Sequence, residues 1–351
     1  MSKILLLGDV HAGARNASPI VCEYQLRYFE EELFPLLKKE GITTILQLGD
    51  WWDSRKFSNH FILGMWKKRV FDILESLGIK LITIVGNHDL PSRNTTDNNI
   101  SSLFLHSYSN VTVIDKPTTI SLGDDVTFLL LPWICDANEA EIKNSIENST
   151  SLFCAGHLEL NGFDMQKGVE AHGHQDPKDF EKFDQVYTGH YHTKSVNNNI
   201  MYTGTPYQLT WADYGDQKMT HIFDTKTRKV TPVYTKTKLF RQFEYNDKGM
   251  DPVKVESVSG IYIKVVVVNK TDPYKFEKWI NNINLQNPAD LRIMELESNF
   301  DDVNIDMNNI KIEDTRTMLS KFVGQVETDL DKGVLKDLIQ TLYIHALEVT
   351  N

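Results

Sequence analysis

Five times within the first 190 residues an apolar run ends in glycine and hands over to a side chain that can ligate a metal. "LLLG" precedes Asp9, "LQLG" Asp50, "TIVG" Asn87, "LFCAG" His157 and "VYTG" His190. A glycine and an aspartate after a strand are by themselves most often a turn, and a lone histidine there is most often structural. Five repeats of one local context are hard to assign to turns alone. His11 and His192 enlarge the set, two residues after Asp9 and His190. In extended chain, residues i and i+2 point to the same side, so each pair can face one centre.

The donors are then Asp9, His11, Asp50, Asn87, His157, His190 and His192. One ion does not take that many ligands from protein. Two ions sharing a carboxylate do, and Asp50 is the natural bridge. Carboxylate, amide and imidazole donors without a thiolate suit manganese, iron or zinc and are unlike a calcium cage. Two ions about 3.5–4 Å apart stabilise the attacking and the leaving oxygen of an in-line displacement at phosphorus. His88 and Asp89 follow Asn87 directly. An imidazole beside a carboxylate can be held protonated near neutral pH and can then donate to a leaving oxygen; the plainer reading is that the pair closes a turn. A further HxH, His172 and His174 in "EAHGHQDP", follows no strand and reads as a loop.

Delivering donors to one edge requires strands that end together. "KILLLG", "TTILQLG" and "KLITIVG" read as strands separated by amphipathic helices over residues 22–41 and 58–77, closed by Gly41 and Gly78. That β-α-β-α-β order implies a parallel sheet with right-handed crossovers, and ligands collect outside the carboxyl ends of such strands. From residue 111 onward short strands with turns take over, which suggests a second sheet packed on the first, with helices outside. After about residue 240 a small α/β unit follows, with strands in "GIYIKVVVVN" and "LRIMELES" around a helix at 273–284. "NFDDVNIDMNN" reads as an acidic linker, and the last forty residues carry two helical apolar stripes.

Composition bounds the function classes. The chain has 351 residues, 41% hydrophobic and 24% charged, as expected of a soluble globular protein. No apolar run approaches the roughly 18 residues of a membrane span, and the apolar stretch of "MSKILLLGDVH" is too short for a secretory signal, so a cytoplasmic protein is expected. Cys22, Cys135 and Cys154 lie far apart, which fits a reduced compartment and excludes a disulfide framework. The net charge of −11 argues against a nucleic-acid binder unless metal ions, a local basic patch or a partner carries the polyanion.

"GDVH", "GDWWD", "GNHD", the histidine of "AGHLEL" and "GHYH" resemble the five motifs of the calcineurin-like metallophosphoesterases. "KPTTI", "LPWIC", "GHLELNGF", "TGHYHT" and "YTGTPYQLTWAD" resemble, within that family, the nuclease subunits of SbcCD-type double-strand-break repair complexes, in particular the small subunit of the tailed-phage recombination endonuclease. The likeness covers nearly the whole chain and is strongest to about residue 225. It implies a four-layer α/β sandwich of two packed sheets flanked by helices over residues 1–240. An α/β cap over 241–300 would follow, then a linker and helix-loop-helix over 301–351 that clamps the coiled coil of an ABC-type ATPase.

The resemblance also implies roles. One ion is held by Asp9, His11, Asp50 and His192, and the other by Asp50, Asn87, His157 and His190. His88 is not a ligand but sits over the scissile phosphate, and Asp89 orients and charges it. The implied activity is exonuclease and endonuclease hydrolysis of DNA phosphodiesters from a metal-bridging hydroxide, in an ATP-regulated recombination and repair complex. Manganese is the first choice of metal, with magnesium, iron or zinc also compatible. A homodimer fits the family, no membrane is involved, and a phage origin would place the chain in the host cytoplasm.

Two other readings are weighed against this one. A protein phosphatase of the same superfamily typically shows GDxVDRG and GNHE, whereas here Ser54 follows Asp53 and the "GNH" motif ends in Asp89. A scaffold with an inactive site would not be expected to keep every donor and His88. Asp53 could orient an imidazole behind a metal or serve a turn. Trp51 and Trp52 are read as core before base-stacking. Arg55, Lys56 and His60, with Lys67, Lys68 and Arg69, form the best basic patch, readable as a solvated helix face or as a DNA contact.

Overall fold

A computed structural model describes residues 3–166, 169–171, 173 and 175–295, with isolated positions between 323 and 339. Residues 1–294 form one compact unit and 295–351 a second. The expected linker, the terminal helical pair apart from those isolated positions, and His172 and His174 lie outside the described residues. Among the described residues, no helix is long and apolar enough to cross a membrane.

The first sheet contains β1 (Lys3–Leu7), β2 (Thr44–Gln47), β3 (Lys80–Ile84) and β4 (Val111–Ile114), all parallel. The second contains β5 (Thr118–Ser121), β6 (Thr127–Leu131) and β7 (Phe153–His157), in which β6 and β7 are parallel and β5 is an antiparallel edge. A short hairpin, β8 (Asp164–Gln166) and β9 (Val169–Glu170), precedes β10 (Gln185–Gly189), β11 (Ser195–Asn197) and β12 (Ile200–Tyr202), which complete the order β11-β12-β10-β7-β6-β5. β13 (Met219–Asp224) and β14 (Lys229–Tyr234) return antiparallel to the first sheet, giving β14-β13-β1-β2-β3-β4.

Both faces of the central strands are buried, which is why they read as continuous apolar runs. Side chains alternate at period two. Ile4 and Leu6 of β1 enter the core between the sheets with Leu46, Ile82, Phe128, Phe153 and Tyr187. Leu5 and Leu7 turn the other way, onto Leu26, Phe29, Trp66 and Phe71 of the covering helices. β6 divides likewise, Phe128 and Leu130 inward and Leu129 and Leu131 onto Ile142 and Phe180. The result is the expected helix-sheet-sheet-helix layering.

The helix expected over 22–41 is helical over Pro19–Glu40, with Ser18 accepting from the Val21 N–H at its start and Gly41 at φ 64° closing it. Its middle is wider than an α-helix: the Phe34 N–H reaches back five residues to the Phe29 carbonyl, just before Pro35, which has no N–H to offer Glu31. The second helix, His60–Ser76, is capped by the Asn59 side chain. Helices at Ile100–Leu105 and Glu139–Asn148 lie outside the sequence expectations; the second buries Ile142 and Ile146, one turn apart. The small α/β unit is a three-stranded sheet of β15 (Phe240–Asn246), β16 (Tyr262–Asn269) and β17 (Asp290–Glu295) covered by the Pro273–Asn284 helix, with Tyr245, Val265, Phe276 and Trp279 in its own core.

Candidate metal centre

β1, β2 and β3 of one sheet and β7 and β10 of the other end at a common edge, so Asp9, Asp50, Asn87, His157 and His190 arrive there from five separate segments. Asp9, His11, Asp50, Asn87 and His157 are buried, whereas His190, His192 and His88 are partly exposed and form the mouth. Ligand atoms of Asp9, His11 and His192 lie within 4.8 Å of one another, as do those of Asp50, His157 and His190. Each group could hold one ion; a third cluster, His11, Asp53 and His88, shares His11 with the first, and its Asp53 carboxylate is paired with the His11 ring at 3.0 Å. Asp50 Oδ2 lies 3.2 Å from His157 Nε2 on one side and 3.9 Å from His11 Nε2 on the other, between the two groups.

The glycines that announce the donors are needed for space. A Cβ on Gly86 would overlap the Asp50 carboxylate, and one on Gly49 (φ 99°) would overlap the His157 ring. Three donors, His11 (φ 49°), Asp50 (φ 54°) and His190 (φ 91°), themselves sit in the left-handed region. Such backbone costs about 1–3 kcal/mol per residue and persists where the surroundings impose it. No spacing rule in the sequence announces it.

The hydrogen bonds behind the donors fix the ring tautomers. His157 Nδ1 lies 2.9 Å from the Leu48 carbonyl, which can only accept, so the proton is on Nδ1. Nε2 faces Asp50 Oδ2 at 3.2 Å and Asn87 Oδ1 at 3.0 Å, both acceptors, and is the nitrogen that would offer a lone pair to an ion held between them. The same Asn87 oxygen faces His190 Nδ1 at 3.0 Å, and His11 Nε2 faces His192 Nε2 at 3.1 Å. Acceptors converging in a buried site require a cation between them, either protons or metal ions. Two carboxylates, an amide and imidazoles, with no thiolate, fit divalent ions of the manganese, iron or zinc kind.

Titration follows that logic. Burial opposes charge on His157, but the carboxylates of Asp50 and Asp9 outweigh it and raise the ring to about 9. Burial likewise opposes His11, yet Asp53, Asp50 and Asp9 raise it to about 9. Burial pushes Asp9 up to about 7, while Asp50, despite its burial, is held well below the carboxylate range by the surrounding histidines. Burial lowers His190 and His192. At neutral pH His11 and His157 therefore carry protons where an ion needs lone pairs. Metal binding is expected to expel protons, and affinity to rise with pH up to about 9. Calorimetric titration in buffers of different ionisation enthalpy measures that release; a pH-independent affinity with no protons released at pH 7 would contradict it.

His88 is arranged otherwise than its neighbours in sequence suggest. Its N–H donates to Asp50 Oδ1 at 2.7 Å, and its Nδ1 lies 2.7 Å from the Asp53 carbonyl. The Asp89 carboxylate is occupied elsewhere, accepting from the Trp52 N–H at 3.0 Å and the Gly86 N–H at 2.9 Å. The expectation that Asp89 orients and charges His88 is thus corrected. Adjacent side chains diverge, and Asp89 instead ties the β2 and β3 loops together. Burial pushes His88 down to about 4; Asp50 pulls the other way, and His11 and Arg55 lower it further. The ligand-free ring is therefore neutral, not protonated as a paired carboxylate would have made it.

Asp53 turns out to serve two rings. Its Oδ1 stands 3.0 Å from His11 Nδ1 while its carbonyl holds His88. Gln25, buried and without any motif to flag it, donates to the Val10 and His11 carbonyls at 3.0 and 2.8 Å. Trp51 and Trp52 are core, packed around Phe71. The basic patch is narrower than it reads: Arg69 is paired with Glu23 and Glu30, and Lys67 with Asp72. Lys56 and His60 are exposed, and Arg55 is partly exposed and near enough to His88 to oppose its protonation.

Two packed sheets whose strands deliver paired donor groups to one edge, with a further histidine at the mouth, define a phosphoesterase site. The chain belongs to the calcineurin-like phosphoesterase family, which it matches over residues 2–213. It is 33% identical over 348 residues to exonuclease subunit 1 of Enterobacteria phage T4, covering 99% of this chain and 100% of that protein. Two solved structures also match: an archaeal phosphodiesterase (13% identity, TM-score 0.32, 66% of this chain and 99% of that one) and the nuclease MPE of Pseudomonas putida (19%, 0.29, 66% and 87%). At these scores they add nothing to the assignment.

Proposed function

We propose that the chain is the DNA-cleaving subunit of a phage-type recombination and repair complex, a metal-dependent exonuclease and endonuclease acting in the host cytoplasm with a coiled-coil ABC-type ATPase. The convergence of both donor groups on Asp50, with His88 anchored beside them, carries the reading. Full-length similarity to a protein named exonuclease subunit 1 supports the substrate and, through the word subunit, a partner. A homodimer, which the family resemblance implies, is part of the proposal.

The residues fit one ion at Asp9, His11, Asp50 and His192 and another at Asp50, Asn87, His157 and His190, with manganese first and magnesium, iron or zinc as alternatives. Bound there, the ions would activate a water and neutralise charge on the phosphate oxygens. The chain supplies the rest. Trp133 packs against the rings of His190 and His157, with centroids 5.2 and 6.1 Å away, and with Val85 and Leu90 keeps water off that side. The Asp50 carboxylate and the Asp53 carbonyl fix His88 at its main chain and at Nδ1, leaving Nε2 to meet substrate. An incoming phosphodiester brings negative charge, which favours the protonated ring. His88 takes up its proton on binding and passes it from Nε2 to the leaving oxygen. Arg55 and Lys56 offer positive charge, and His60 an exposed ring, to the flanking strand.

The test assays the manganese-loaded chain, alone and with its ATPase, on linear duplex DNA and on a generic phosphate monoester. DNA cleavage is expected. Monoester hydrolysis without DNA cleavage would make the protein a phosphatase, and inactivity on both, even with the ATPase, would make it a scaffold.

A further inference from the structure

Lys218 lies just before β13 and is only 5% exposed, so it cannot reach a substrate. Its ammonium has three N–H groups and meets three acceptors: the His192 carbonyl at 2.8 Å, Asp213 Oδ1 at 2.6 Å and Asp216 Oδ2 at 2.9 Å. Both carboxylates have further work. Asp213 Oδ2 accepts from the Leu209 and Thr210 N–H groups at 2.8 Å each and closes the turn at Trp211–Asp213. Asp216 Oδ2 accepts from Thr193 Oγ1 at 3.3 Å, and the Thr205 N–H donates to the same His192 carbonyl at 3.1 Å. One buried ammonium therefore ties the 205–216 segment to the main chain at His192.

Burying charges costs several kcal/mol per ion, and apolar replacements of such clusters are often no less stable. What the cluster supplies is a fixed main-chain position. His11 and His157 are oriented through their rings, by the Asp53 carboxylate and the Leu48 carbonyl. His192 is held through its backbone, and its Nε2 stands 3.1 Å from His11 Nε2 in the group with Asp9. The ligands of the other group are held by different contacts: His157 by Leu48, Asp50 by the His88 N–H, and His190, two residues before His192, by its own N–H on the Asp9 carboxylate at 3.0 Å.

We propose that Lys218 is a positioning residue for the Asp9/His11/His192 centre, its ammonium fixing the His192 main chain and so setting affinity for the ion bound there and not for the other. The inference rests on the two-ion reading above. Manganese titration of the full-length chain by calorimetry tests it, with folding checked by circular dichroism. The wild type is expected to bind two ions. Lys218→Met should weaken one step by about 10–100-fold, the usual loss when a group behind a ligand is removed, and leave the other step within about twofold. Asp216→Asn, which keeps the ammonium, should weaken the same step by less, and it decides the matter if Lys218→Met does not fold. Equal weakening of both steps, or no change in either folded variant, overturns the role of Lys218. A wild type binding fewer than two ions overturns the two-ion reading and this inference with it.

Discussion

Replacing His88 with alanine is expected to lower kcat on DNA by ~10²–10⁴ while both metal ions still bind. The magnitude is that of losing a positioned proton donor. The separation from metal binding follows from the contacts: the side chain's bond is to the Asp53 carbonyl, and the bond to Asp50 comes from the main-chain N–H, which alanine keeps. Because burial holds the free ring near 4, its protonation must accompany substrate binding, the proton coming from solvent. The variant's remaining activity should therefore lose the pH dependence contributed by the bound-state imidazole. Steady-state kinetics with a parallel manganese titration checks this; loss of both ions in the variant would show that His88 is itself a ligand.

Asp50→Asn is the change with the widest expected reach. Asp50 Oδ2 lies between His157 and His11, and Oδ1 accepts the His88 N–H. An asparagine can keep the second contact but places an uncharged amide where two cations would share a negative charge. Both ions are expected to weaken by at least about 100-fold, the upper end of losses seen for merely supporting groups, and DNA hydrolysis should fall to background. Metal content by mass spectrometry after gel filtration, together with calorimetry, measures it. One ion retained at full affinity would remove Asp50 as the bridge.

The parts of the site legible in the sequence were those written in local patterns. A strand that ends in glycine and then a donor is such a pattern, because a sheet edge crowded with ligands leaves no room for a Cβ, as at Gly86 against Asp50. The parallel strands were legible because two buried faces demand unbroken apolar runs. The partner of His88 was not legible. Proximity in sequence favoured Asp89, but the stereochemistry of the turn sends that carboxylate to Trp52 and Gly86, and the real contact is a backbone carbonyl 35 residues away. Backbone partners leave no trace in residue type. Gln25 and Lys218 were silent for the same reason, each holding main-chain carbonyls of a ligand loop from a distant segment. The charge of the basic patch was misjudged because Glu23 and Glu30, which neutralise Arg69, come from another helix.

The centre of the account is a pair of ions bridged by Asp50, and X-ray diffraction from manganese-loaded crystals, collected at the manganese absorption edge, tests it most directly. Two anomalous peaks are predicted. One should be bounded by Asp9, His11 and His192, the other by Asn87, His157 and His190, with the Asp50 carboxylate between them and His88 in contact with neither. A single peak, or two peaks without Asp50 between them, would contradict the account.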